Sequence, residues 1–247
     1  PSQGAGNASG GFAATGPARA RVGSDDVNSG LDASGLSPLE QTALLTQYAR
    51  ALDSRWPRSI LGDTLADDIV ARIDYDFDGL GVPSSVVCQS ALRAKMLDDR
   101  VRTFTAEHPE AVVVDLGAGL DTGLFRVAPP ATVDWYSVDL PGVIALRDQL
   151  MPVSEQAHSI AASVADRGWA DAIPADRPAM VIADGLFAFL SEPVVVGVFR
   201  RVTEYFKFGE LAFNDYGRIG WFSRVAVKLA PQRMFGSVGS QWGYAGF

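Results

Sequence analysis

From about residue 36 the chain alternates between two hydrophobic periods. Continuous apolar runs mark strands at Val112-Val113-Val114 and over 133–139, 158–162, 179–183 and 211–216. Runs rich in β-branched and aliphatic residues suit parallel strands covered on both faces, because no position along them is left to water. Between the runs, apolar positions return every three to four residues and predict helices over 38–54, 64–73, 84–108, 142–151, 193–206 and 221–229. Ser37, Pro38 and Glu40 set the first of these starts, with a capping serine, a first-turn proline and an acid at the third position. Strands that alternate with helices predict a doubly wound α/β sheet, here preceded by a helical segment.

The first strand runs into Asp115-Leu116-Gly117-Ala118-Gly119-Leu120-Asp121-Thr122-Gly123, a glycine-rich turn followed by a helix. Gly117 and Gly119 let the backbone approach a ligand where a Cβ would collide. The second strand ends at Asp139, about twenty residues on, where such a sheet sets an acid against the hydroxyl pair of a ribose. A dinucleotide fingerprint needs its third glycine three places after the second; here it comes one place late, at Gly123. Asp115 and Asp121 would also repel a diphosphate, whereas they suit a ligand that carries positive charge and no phosphate. S-adenosylmethionine is such a ligand, and a glycine turn without any ligand is the plain alternative.

Composition narrows the class further. The 247 residues carry a formal charge of -8, which argues against a nucleic-acid surface or an anionic membrane as partner. Cys88 is the single cysteine, so there is no internal disulfide, and no Cys/His cluster offers a zinc site. No stretch has the length of a membrane span, and the N-terminus lacks the order of a signal peptide, so the expectation is a soluble cytoplasmic protein. Residues 1–35 are rich in Gly, Ala and Ser and read as a flexible tail, part of which docks on the domain. Asp74, Asp76 and Asp78 have the spacing of a calcium loop but lack its closing glutamate. No metal is expected.

D-L-G-A-G-L-D-T, with S-V-D-L-P downstream, resembles the leucine carboxyl methyltransferase family of class I S-adenosylmethionine-dependent enzymes. The resemblance is greatest to its bacterial branch of tetracenomycin-type polyketide O-methyltransferases. It implies a Rossmann-like class I methyltransferase sheet with an N-terminal helical cap: a cap over 36–108 and a cofactor domain over 109–247. It implies S-adenosylmethionine as cofactor and S-adenosylhomocysteine as product. Within the cap, Thr42 or Gln47 faces the ligand, or else both face water.

The resemblance also implies roles for individual residues. Arg93, in A-L-R-A-K-M-L-D-D, corresponds to an arginine that holds the methionine carboxylate; the alternative is a surface arginine paired one turn away. Asp115, Gly117, Ala118, Gly119 and Asp121 form the cofactor turn. Asp139 binds the ribose and Leu140 lies beside the adenosine. Ser163 and Val164 stand where much of the family has Asp-Leu against the adenine, while Asp166 caps the short helix that carries Trp169. Asp184 and Gly185 point toward the transferring methyl, Asp184 in place of the family's glutamate and Phe189 in place of its tyrosine. Phe187 and Phe189 line an acceptor pocket or belong to the core. Tyr216 and Arg218, with Asn214 and Asp215, orient the acceptor or simply end the fifth strand.

His108 and His158 fall at a helix end and a strand start and read as structural, so no catalytic base is named. The sixth and seventh strands of a class I sheet are not both found before Phe247; the expectation is either that this branch trims the sheet or that the sequence stops short of the native C-terminus. The expected activity is S-adenosylmethionine-dependent O-methylation of a small molecule, a polyketide-like carboxyl or phenol. The alternatives are carboxyl methylation of a protein C-terminus, a cofactor-binding protein without turnover, and an NAD-dependent reductase. Oligomeric state is open; the aromatic-rich end near Trp242 and Tyr244 is a candidate contact surface.

Overall fold

A computed structural model describes residues 30–214. Tyr216, Arg218 and the expected helix and closing strands beyond them lie outside the described residues, as do Trp242 and Tyr244. The main sheet has five parallel strands: β3 (Val112–Leu116), β4 (Asp134–Asp139), β5 (Ala157–Ala161), β6 (Ala179–Ala183) and β7 (Gly209–Phe213), in the order β5-β4-β3-β6-β7. The chain moves outward from β3 through β4 to β5, then returns to the other side of β3 for β6 and β7. The order therefore reverses between β3 and β6, and a crevice opens there beyond the carboxyl ends of the strands.

Helices cover both faces. Alternate side chains of a strand point to opposite faces, so Val112, Val114 and Leu116 of β3 pack with Val181 and Ala183 of β6 against α6 (Glu192–Tyr205). Val113, Met180 and Ile182 go the other way, to Leu97, Val101 and Phe104 of α3 (Ser84–Glu107) and to α4 (Gly123–Val127). The same parity carries Asp115, in register with Ile182, to the α3 face. It also carries Asp139 to the face that Trp135 occupies.

A second core joins α1 (Thr42–Ser54) and α2 (Thr64–Ala71) to α5 (Pro141–Leu150) through Leu44, Ile69, Val143 and Leu150, all buried. Each fully buried aliphatic side chain stabilises this contact by roughly 1.5–3 kcal/mol before chain entropy is counted. Arg72 fastens the same seam by donating to the last carbonyls of α5, Leu150 O and Gln149 O, both at 2.7 Å.

Three element boundaries differ from the periodic reading. Ser37 and Glu40 do exchange hydrogen bonds, with Ser37 N donating to Glu40 Oε2 at 2.9 Å, yet they close turns and the helix proper begins at Thr42. Where a helix was expected to run on to residue 73, α2 ends at Ala71. Ile73–Asp74 instead forms β2, which pairs in parallel with β1 (Leu31–Asp32). Residues 31–33, expected within the tail, are thus docked, and Ala33 is buried. Asp166 does not cap the turn of 3-10 helix Gly168–Ala172; Arg167 holds the cap position, without a side-chain bond.

Candidate active site

The site is built where the strand order reverses. After β3 the backbone turns through Gly117 and Gly119, at φ +67° and +53°. That left-handed region costs an L-residue about 1–2 kcal/mol. A Cβ at Gly117 would also sit 2.9 Å from Leu186 Cδ1, in the loop that leaves β6. The turn is pinned to the next strand, with Gly117 N donating to Val138 O at 2.8 Å. Asp139 then reaches back: Oδ2 accepts from Gly119 N and Oδ1 from Leu140 N, both at 2.7 Å. Burial raises the Asp139 pKa despite these two donors, which favour the carboxylate.

Asp121 is the centre of a buried ion network. Its Oδ1 lies 2.8 Å from Arg50 of α1 and 2.5 Å from Arg126 of α4. Burial alone would raise its pKa, but these two guanidinium groups hold it well below the carboxylate range. Arg126 also binds Asp98 of α3 through Nε at 2.8 Å, and Asp63 at 3.0 Å. Asp63 in turn caps α2, accepting from Ala66 N, and takes the Thr122 hydroxyl at 2.6 Å. Arg147 of α5 donates to the carbonyls of Gly119 and Asp121 at 3.1 and 2.7 Å. The cofactor turn is therefore held from α1, α2, α3 and α5 at once.

Across the crevice, Asp184 follows β6, and the next residue, Gly185, has φ +76°. One Asp184 oxygen accepts from Arg50 at 2.9 Å; the other accepts from Arg93 Nε at 3.0 Å and from the Asn214 amide at 2.5 Å. Arg93 is thus brought to the crevice rather than to an acid one turn away on its own helix. Lys95 takes that surface role, pairing with Asp99.

The structure brings Arg93, Asp115, Gly117, Ala118, Gly119, Asp121, Asp139, Asp184 and Gly185 to this one end of the sheet. Leu140, Ser163, Val164, Phe187 and Phe189 also follow the carboxyl ends of β4, β5 and β6, but several of their side chains are engaged in packing or local bonds. Val164 is buried in the core beside Trp169, and the Ser163 hydroxyl accepts from Ala165 N at 3.2 Å. Leu140 packs with the α1/α2/α5 core. Phe187, left open between pocket and core, is buried, with its ring edge-on to Phe199 and Phe213 at 5.2 Å each. Phe189 is half-buried. The histidines lie elsewhere. His108 packs between Phe104 and Phe208, and His158 Nε2 bonds Asp134 at the opposite end of β4.

Sequence reasoning missed Arg50, Arg126 and Arg147. Gln47 was left open between ligand and water; it faces neither solvent nor a partner, being fully buried with both amide atoms unbonded. Ala43, one turn before it on α1, is what a Cβ on Gly119 would meet at 3.4 Å. Three more buried atoms lack partners: Asp115 Oδ2, Arg50 Nε and, on β4, Trp135 Nε1. An acceptor, a cationic donor and an amide, all unsatisfied beside one glycine turn, match the needs of a zwitterionic amino-acid group. With Asp139 at the end of the next strand, bonded to Gly119 N of the turn, the donor set is compatible with a nucleoside that carries methionine. Among the described residues there is no group of His, Cys, Asp or Glu side chains suited to a metal, and no helix long and apolar enough to cross a membrane.

The chain is similar to several known methyltransferases. The tetracenomycin polyketide synthesis O-methyltransferase of Streptomyces glaucescens is 41% identical over 191 residues, covering 77% of this chain and 70% of that one. An S-adenosyl-L-methionine-dependent methyltransferase of Gibberella zeae is 29% identical over 221 residues, covering 82% and 74%. Among solved structures, an O-methyltransferase family protein from Burkholderia thailandensis superposes with a TM-score of 0.47 at 15% identity, covering 83% of this chain and 61% of that one. Residues 43–203 match the family described as leucine carboxyl methyltransferase. A sheet of order β5-β4-β3-β6-β7, a glycine turn at its reversal point and that match together make the chain a member of the leucine carboxyl methyltransferase family of S-adenosylmethionine-dependent methyltransferases.

Proposed function

We propose that the chain methylates an oxygen of a small polyketide-like acceptor, a carboxyl or phenol, and that the residues around the glycine turn hold the methyl donor. The observation that carries the site is the meeting of Asp139, the Gly117–Gly119 turn and the Arg50/Arg93/Asp184 cluster at one sheet end. The acceptor class is supported by the identity with the tetracenomycin enzyme. When bound, the cofactor supplies an electrophilic methyl group on a sulfonium.

The chain's own residues bind and orient. Asp139 accepts from the ribose hydroxyls, Arg93 offers its guanidinium to the methionine carboxylate and Arg50 its unbonded Nε. Asp115 and Gln47 offer acceptors to its ammonium, and Asp184 and Gly185 border the space where donor and acceptor meet. In-line methyl transfer asks chiefly for alignment and exclusion of water. Both histidines are occupied away from the crevice, so the reading favours an acceptor that arrives ionised, a carboxylate or a phenol of low pKa.

Calorimetric titration tests the donor site. S-adenosylmethionine and S-adenosylhomocysteine should bind and NADH should not; Asp139→Ala should weaken both nucleosides by about 1–3 kcal/mol. Wild-type affinity in that variant would remove Asp139 from the ribose role. Methyl transfer from labelled donor to aromatic polyketide acids and phenols, compared with a peptide C-terminal carboxylate, then tests the acceptor. Turnover of the peptide alone would overturn the small-molecule reading.

A further inference from the structure

Asp115 is buried at the end of the central strand, with Oδ2 unbonded, yet it is absent from the ion pairs that occupy its neighbours. The charged groups that act on it include Arg50 from α1, Asp121 from the glycine turn, Arg147 from α5 and Asp184 from the loop after β6. Its register partners on β4 and β6, Ser137 and Ile182, carry no charge. Arg50 is engaged by both Asp121 and Asp184, and Arg147 by two backbone carbonyls. Asp121 and Asp184 each pair with two guanidinium groups, which hold Asp121 well below the carboxylate range, while the backbone N–H groups on both Asp139 oxygens favour its charge. Asp115, among the described residues, has neither an ion pair nor a donor on its buried Oδ2. Burial, then the Asp121 and Asp184 charges, push its pKa up to about 8 against the opposing pull of Arg147 and Arg50.

The two nucleosides of the reaction differ by one unit of charge. The donor has a sulfonium, an ammonium and a carboxylate, net +1; the product has lost the sulfonium charge and is net neutral. On the reading that both bind over this turn, we propose that Asp115 is a specificity-determining residue: its carboxyl is neutral in the free protein and gives up its proton when the positively charged donor is seated. The proton goes to solvent as the donor enters and returns once methyl transfer has removed the charge. The preference acts through space and needs no direct contact, because a charge in a buried site is weakly screened. Its effect is to tighten the donor relative to the product and so to assist product release.

Calorimetry on the full chain, with S-adenosylmethionine and S-adenosylhomocysteine in two buffers of different ionisation enthalpy, reads both affinity and protons released. The window from about pH 6 to about 7.5 stays below the usual range of an α-amino group. Donor affinity should rise about fivefold across it with a fraction of a proton released, while product affinity, with the ammonium but no sulfonium, should rise less steeply. In Asp115→Asn both ligands should lose the dependence and the donor-over-product ratio should fall. Wild-type curves for donor and product that run parallel, or an unchanged donor dependence in Asp115→Asn, would overturn the inference. Failure of the wild type to bind either nucleoside would instead overturn the cofactor reading, and this one with it.

Discussion

Removing Arg126 gives the most direct test of what holds the site together. Its guanidinium binds Asp98 through two nitrogens at 2.8 and 2.9 Å, Asp121 at 2.5 Å and Asp63 at 3.0 Å. The side chains involved expose between 1% and 12% of their surface, so solvent screens none of these pairs. Arg126→Met keeps much of the stem and deletes the charge. Asp121 retains Arg50 and Asp63 retains Thr122, but Asp98 keeps only a distant Arg102 at 3.9 Å. One uncompensated buried carboxylate costs about 3–5 kcal/mol, a large part of the stability of an ordinary domain.

The pH dependence of that loss has a definite sign. In the wild type the depressed Asp121 contributes stability above the unfolded carboxylate range, which is lost as pH falls through its folded pKa. In the variant, burial without Arg126 lifts Asp98 further above its unfolded value, so protonation relieves the strain. Urea unfolding followed by circular dichroism should show the full deficit near pH 7.5 and a deficit smaller by about 1 kcal/mol or more near pH 5. A deficit below about 1 kcal/mol, the scale of an exposed pair, or one independent of pH would refute the argument that this network is buried and mutually dependent.

Two further outcomes follow from the geometry. Arg93→Ala should weaken S-adenosylmethionine and S-adenosylhomocysteine by about tenfold or more while leaving adenosine unaffected, since a charge-assisted bond to the carboxylate contributes about 1.5–3 kcal/mol; an equal loss for adenosine would sink the carboxylate role. Gly117→Ala should cost about 1–2 kcal/mol in thermal or denaturant unfolding because of its positive φ, with displacement of Leu186 added; unchanged stability would mean that the turn relaxes to a different conformation.

The sheet and the turn were legible in the sequence because their signals are local. Val112 to Val114 announce a buried strand by themselves, two glycines announce the turn, and the interval to Asp139 is set by one helical crossover. The arginine network was not legible, for a physical reason. Helical periodicity assigns an arginine to the solvent face, and only its partners reverse that assignment; those of Arg50 lie 71 and 134 residues away. Gln47 was ambiguous for the same cause. Ile73 continued the apolar pattern of α2, and its pairing with Leu31 depended on a segment too poor in hydrophobic residues to signal a strand. Val164 and Phe187 are both buried in the core beside the crevice; chain adjacency at a strand end says little about which way a side chain turns.

The clamp on the glycine turn also bears on engineering by recombination. Acceptor choice in such enzymes invites exchange of the N-terminal helices between relatives, as though they were a separable lid. Here Arg50 and Asp63 from those helices complete the charge balance of Asp121 and Arg126 in the nucleotide-binding half. A chimera that imports the helices without these four residues in matched combination would inherit an unpaired charge beneath its cofactor. The unit of exchange is set by that quartet, and the chain's apparent modularity stops at it.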